Sequence, residues 1–272
     1  VAPRWLTALA WCYLGICFVC AGVIAYDIVF DRRRQPMGVM NFVFPITALY
    51  FGPLALAFYW HWGRPPSTQL GATMSMSPIA TSADASLISR DHHAMHDRPH
   101  QNMVRAEALI DRDRPSAPAE RRRPGWVTMA VEVSHCGSGC TIGDVIAEFA
   151  VFWLALTIAG SGMAAEYVSD YALALIFGIM FQYFAIAPMR HLGLKDGLVQ
   201  ATKADFVSLT AFEIGLFSWM AVMAYVLFPA PHRLTPASAA FWLLMQVGMM
   251  IGFSTSWPAN VWLVKRGIKV PM

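Results

Sequence analysis

The sequence predicts an all-α, polytopic bundle of membrane-spanning helices, and three observations carry that prediction. Of the 272 residues, 57% are hydrophobic and only 14% charged, whereas a soluble domain carries about 25% charged residues. The mean hydropathy is +0.47. The apolar residues also fall in runs long enough for a helix of about 20 residues to cross a hydrocarbon core of about 30 Å. Such spans must be helical, because lipid offers no partner for a free backbone N–H or C=O. A disordered chain, a secreted disulfide scaffold and an ordinary soluble enzyme are thereby excluded.

Six runs qualify as spans: Trp5 to Phe30, Asn41 to Trp62, Cys140 to Gly160, Tyr167 to Pro188, Asp205 to Phe228 and Ala239 to Val264. The first is too long and too aromatic for a signal-peptide core. The second contains Pro45 and Pro53, so a re-entrant path is the alternative to a crossing. Residues 64–125 are rich in Pro, Ser, Ala, Arg and Asp with no sustained apolar period, the composition of a flexible linker. The chain thus reads as a two-span hairpin (1–63), a linker (64–125) and a four-span unit (126–272). Residues 189–204 mix charges with leucines as an interfacial helix does. Gly248 and Gly252 form a small-xxx-small pair suited to close helix packing.

Orientation follows from Lys and Arg, which favour the cytoplasmic side. With six spans, both termini share one face with 64–125 and 189–204, and that face holds sixteen of the twenty basic residues. Both termini and the long loop are therefore expected to be cytoplasmic. Arg32, Arg33 and Arg34 violate this arrangement, since they fall on the opposite face beside Asp27 and Asp31. The net charge of +3 is too small, and the basic residues too poor in interleaved aromatics, for a nucleic-acid partner. The expected partners are the lipid bilayer and either other membrane subunits or further copies of the chain.

Ionisable residues inside spans cost at least about 2.5 kcal/mol each at the helix centre, so they point to function. Cys136, Cys140, Asp144 and Glu148 recur every four residues and would form one slowly drifting helical stripe. Asp205 and Glu213 enter the fifth span from the same face and reach a comparable depth. His135, Cys136 and Cys140 suit a soft or borderline cation such as Cu(I) or Zn(II), for which Asp144, Glu148, Asp205 and Glu213 would form a polar path. The alternative is that Gly137, Ser138 and Gly139 make a tight helix entry, the thiols simply pack, and the acids hydrogen-bond across helices. His92, His93, His96 and His100 in the long loop form a weaker metal tract. The five cysteines split between Cys12, Cys17, Cys20 and the Cys136–Cys140 pair, which is not a disulfide framework. Phosphate-loop, nucleophile-elbow, zinc-protease and haem-attachment motifs are all missing, so an enzymatic role is not indicated.

The run from His135 through Cys136 and Cys140 to Asp144, the Asp205–Glu213 span and the Trp257–Gly267 ending resemble a family of bacterial multi-pass membrane proteins catalogued as domain of unknown function 4396. The resemblance covers about residues 126–268, and the 1–63 hairpin is similar to an extension in longer members. It implies a four-span fold in a bacterial inner membrane and makes the His-Cys-Cys-acid set a family motif. It implies no activity. Three expectations therefore stand together: transition-metal handling or transport with a Cu or Zn ion, a non-catalytic subunit or assembly factor of a respiratory or photosynthetic membrane complex, and a membrane thiol-redox protein.

Overall fold

The computed structural model describes residues 2–31, 33, 35, 37–65, 124–190 and 194–269. Among them every regular element is helical. Residues 1–68 and 124–272 belong to one compact unit. The loop histidines His92, His93, His96 and His100 lie outside the described residues.

Five helices are long and apolar enough to cross a membrane, one fewer than expected. They are α1 (Arg4–Val29), α4 (Gly125–Leu154), α5 (Gly162–Arg190), α6 (Leu194–Val222, extended by a wide turn over Met223–Leu227) and α7 (Ala239–Lys265). Trp5, Trp11 and Phe18 on α1, Trp153 on α4, Phe184 on α5 and Ile214 on α6 are exposed. Large apolar side chains turned outward on so many long helices are what lipid contact requires. The chain is a multi-pass membrane protein.

The missing span is the second. Met40–Phe51 (α2) and Pro53–Phe58 (α3) are separate short helices, the latter ending in a wide turn over Tyr59–Gly63. Gly52 between them has φ +53°, a conformation that glycine adopts without strain, and Pro53 starts the next helix at its first turn. The chain therefore reverses instead of crossing. Both ends of this hairpin sit together: Gln35 Nε2 donates to the Gly63 carbonyl at 2.9 Å and Arg33 Nη1 to the Pro65 carbonyl at 3.0 Å. Asp27 at the end of α1 accepts from Tyr59 Oη at 2.8 Å and pairs with Arg64. The tip reaches mid-bundle, where Tyr13 Oη donates to the Tyr50 carbonyl at 3.3 Å. The second apolar run is a re-entrant helical hairpin.

Two other boundaries move. The third span begins at Gly125, not near Cys140, and ends at Leu154. The glycines at 137, 139 and 143 do not form a helix entry, because they lie inside α4 and let it touch its neighbours. A Cβ on Gly139 would lie 2.7 Å from Gly178 Cα, and one on Gly143 would lie 2.5 Å from Ala174 N, both on α5. Residues 194–204, expected to lie in the interface, continue into α6 as one helix. The α6–α7 contact is similarly close, with a Cβ on Gly252 falling 2.8 Å from the Phe212 carbonyl oxygen. Backbones approach this way where small residues face each other.

Backbone cannot yield as a side-chain tip can, so Gly143→Val is expected to destabilise the fold by at least about 1–3 kcal/mol. Gly22→Val, at a position with no atom within 4 Å, should differ little from wild type. Thermal unfolding in detergent, followed by circular dichroism, compares the two.

Trp126 at the start of α4 packs edge-on to Trp62, with ring centroids 5.8 Å apart. The end of α1, both ends of the hairpin and the start of α4 thus share one end of the bundle. Lys269, just beyond α7, meets Glu132 of α4 there, so we call it the Lys269 end. At the opposite, Arg233 end, the loop before α7 pairs Arg233 with Glu166 of α5 at 2.7 Å. An apolar cavity of about 480 Å³ near this end is lined by Trp11 and Phe18 of α1, Phe149 of α4 and Trp242 of α7.

Candidate functional site: a buried seam of acids and thiols

One face of α4 is polar along most of its length. Glu132, Cys136, Cys140, Asp144 and Glu148 recur every fourth residue, and all are buried. This spacing keeps them on one side of the helix, and Glu132 lies about 24 Å from Glu148 along the axis at 1.5 Å per residue. That distance covers most of a hydrocarbon core of about 30 Å. Asp205 and Glu213 on α6, and Asp170 on α5, are buried as well.

Side chains from the three helices join into a seam. At the Lys269 end, the Lys269 ammonium lies 3.3 Å from Glu132 Oε2 and 3.5 Å from Asp205 Oδ1. It also donates to Asn260 Oδ1 at 3.0 Å. Asn260 is held in turn by Nδ2 donating to Ser208 Oγ at 2.6 Å and to the Ser256 carbonyl at 3.0 Å. Burial pushes the Lys269 ammonium toward neutrality, but the carboxylates of Asp205 and Glu132 outweigh it, and the net shift is upward. Lys269 is a cation at neutral pH.

Moving inward, the Cys136 thiol lies near Asp205, and Cys140 lies near both Cys136 and Glu213. The re-entrant hairpin touches the seam at this level. The buried Tyr50 hydroxyl lies 3.1 Å from the place a Cβ on Gly137 would take, and Ser138 Oγ is 3.3 Å from the Val43 carbonyl. Asp144 comes next, within electrostatic range of Glu213 and Asp170. Glu148 and Asp170 then face each other, and Glu166 with Arg233 closes the line at the far end.

The charges along this line are unequal. Lys269 and Arg233 supply a cation at each end. Among the described residues, no ion pair reaches Asp144, Glu148, Asp170 or Glu213. Among the described residues no oxygen of Asp144, Glu213 or Asp170 has a hydrogen-bond partner, and the Cys140 thiol lies near Glu213 and the Glu148 carboxyl near Asp170. An ionised carboxylate buried without a partner is costly, and a proton or a cation on these acids would relieve that cost.

The structure brings together Cys136, Cys140, Asp144, Glu148, Asp205 and Glu213. The His135 ring, also buried, lies against Phe181 of α5 with centroids 6.2 Å apart and within electrostatic range of Lys269. Among the described residues no three His, Cys, Asp or Glu side chains converge as a closed metal site requires. Sequence reasoning missed Glu132, Asp170 and Lys269. Asp170 lay inside an expected span and was legible by the same cost argument. Glu132 continues the four-residue stripe by one step toward the N-terminus. Lys269 carried no signal, because only the folded turn after α7 buries it.

No curated protein and no solved structure matches the chain. The family described as Domain of unknown function (DUF4396) matches residues 125–269, from the start of α4 to the buried lysine, and the chain belongs to that family.

Proposed function

We propose that this protein conducts protons, alone or in exchange for another cation, across the membrane along the α4–α5–α6 seam. One observation carries the reading: a line of protonatable side chains runs from Lys269 to Arg233 with four consecutive acids that have no ion-pair partner among the described residues. Chains of intramembrane acids are what proton relays use. Neutralising these acids with resident protons removes the cost of burying them, and a concerted shift, in which each acid accepts a proton on one oxygen as it releases one from the other, leaves no charge stranded. The hairpin supports the reading, since a helix broken at membrane depth is tolerated where protein or a polar cavity surrounds it.

A second cargo is favoured by the adjacent thiols. Cys136 and Cys140, flanked by Asp205 and Glu213, offer soft donors to Cu(I) or Zn(II) in transit, with the ligand protons released into the seam. Here the metal is substrate.

The five-crossing arrangement also supports an orientation. Of the ten described basic residues, it leaves only Arg4 and Arg233 on one face and gathers the other eight on the Lys269 side. Arg33 no longer violates the rule, because a hairpin that returns to its starting side keeps it beside Arg64 at Asp27. By the preference of basic residues for the cytoplasm, the Lys269 end is cytoplasmic and the N-terminus lies on the opposite side of a bacterial inner membrane. A cysteine replacing Gly38 and one replacing Arg266 should react with a membrane-impermeant maleimide from the same side, and one replacing Thr235 from the other. Labelling of the Gly38 position together with Thr235 would contradict the re-entrant path.

Function is tested in vesicles. Purified protein reconstituted with a trapped pH dye, under a potassium diffusion potential set by valinomycin, is expected to acidify or alkalinise the lumen faster than protein-free vesicles. Folded protein that leaves the rate unchanged would sink the proton reading. Elemental analysis of the same preparation after incubation with Cu(I) or Zn(II) addresses the second cargo. Metal that is retained by wild type and lost in folded Cys136→Ser/Cys140→Ser supports it, and an empty wild type removes it.

A further inference from the structure

The stretch after α7 is built to return to the bundle. Gly267 has φ +69°, and the Ile268 and Lys269 amides donate back to the Leu263 carbonyl at 3.1 and 3.4 Å. This is a helix-terminating turn whose left-handed residue reverses the chain. Its effect is to carry a lysine inward: Lys269 is 2% exposed, although Lys265 and Arg266, a few residues earlier, are solvent-facing. Lysine is almost never buried unless it is paired.

The pairing is a cation site in its own right. Glu132 from α4, Asp205 from α6 and Asn260 from α7 each point an oxygen at the ammonium, at 3.3, 3.5 and 3.0 Å. Asn260 is fixed by its own bonds to Ser208 and Ser256, so the pocket has a supporting shell independent of the lysine. The second oxygen of Asp205 has no conventional hydrogen-bond partner and is fully buried, and it belongs to the residue beside Cys136. All three donors are oxygens, the ligand type that hard cations select. The ammonium therefore occupies the position that an incoming cation would take before meeting the first thiol of the seam.

We infer that Glu132, Asp205 and Asn260 form a cation-binding vestibule at the Lys269 end of the seam, that Lys269 is its tethered occupant, and that cations from solution reach Cys136 only when the Arg266–Lys269 turn lifts. The inference rests on the seam being the conduction path, and adds to it the device that closes one mouth. The lysine competes for the site as an intramolecular ligand, so its effective concentration is high. Its loss removes the charge that blocks entry and leaves two carboxylates that attract cations.

The test reads access rather than transport. A small cationic methanethiosulfonate reagent is applied from the Lys269 side to full-length protein in vesicles, and modification at Cys136 is located by peptide mass spectrometry. Wild type is expected to be protected. In Lys269→Met the rate should rise by at least about tenfold, the factor that corresponds to losing one charge-assisted hydrogen bond, while Lys269→Arg should stay protected. Because Lys269→Met strands two acids, Gly267→Val provides a second route. It keeps every charge but strains the left-handed turn, and should raise the rate in the same direction. Cys136 that stays protected in a folded Lys269→Met, or in Gly267→Val if the first does not fold, overturns the inference. So does a wild type already modified at the variant rate. Wild-type vesicles that conduct no protons would overturn the transport reading without changing the labelling result, so the two failures are distinguishable.

Discussion

Asp144→Asn is expected to reduce proton flux in reconstituted vesicles to the level of vesicles without protein. Asp144 sits midway along the seam, fully buried, with Glu213, Asp170 and Glu148 as its acidic neighbours. No side-chain or backbone group among the described residues hydrogen-bonds either of its oxygens. Asparagine has nearly the same volume, so packing against α5 and α6 is preserved. It cannot release and regain a proton near neutral pH, and the relay breaks at that point. Asp144→Glu restores the chemistry with one extra methylene and should retain measurable flux at some cost in packing. Full flux in a folded Asp144→Asn would move the path away from α4.

The second large effect is on stability. Lys269→Met leaves Glu132 and Asp205 facing each other without their shared cation, and removing one partner from a buried charge pair costs about 3–5 kcal/mol. The deficit should be smaller in mildly acidic than in neutral buffer, because protonating either acid relieves the repulsion. Adding Glu132→Gln and Asp205→Asn to Lys269→Met should recover most of the loss, since a site without charges has none to strand. Thermal unfolding of the single and triple variants in detergent measures both. Equal destabilisation in the two would show that the lysine contributes packing rather than charge.

The helical class and four of the spans were legible because they rest on composition and on runs of apolar residues, which do not depend on tertiary contacts. The second run was not legible as a hairpin. Its length and hydropathy satisfied the spanning rule, and only the backbone at Gly52 and the meeting of Gln35 with Gly63 reveal the reversal. Pro45, Pro53 and the misplaced Arg32–Arg34 were the available signals. The start of α4 was placed fifteen residues late because glycine is a poor helix former in isolation; here Gly139 and Gly143 stay helical because α5 packs directly on them. That error also hid Glu132, which then seemed to lie outside the membrane. The stripe from Cys136 to Glu148 was legible from its four-residue period alone. Asp170 was legible by the cost of burying it, but its meeting with α4 was not, and Lys269 was not legible at all, since nothing local in the sequence ties them to α4.

The claim on which this account depends is that the central acids hold protons that exchange with water. Infrared difference spectroscopy of protonated carboxyl groups, in protein transferred from light to heavy water at neutral pH, tests it most directly. The account predicts protonated-carboxyl bands in wild type that shift on transfer, with one component missing in Asp144→Asn. A spectrum showing only ionised carboxylates at neutral pH, or bands that Asp144→Asn leaves unchanged, would contradict it.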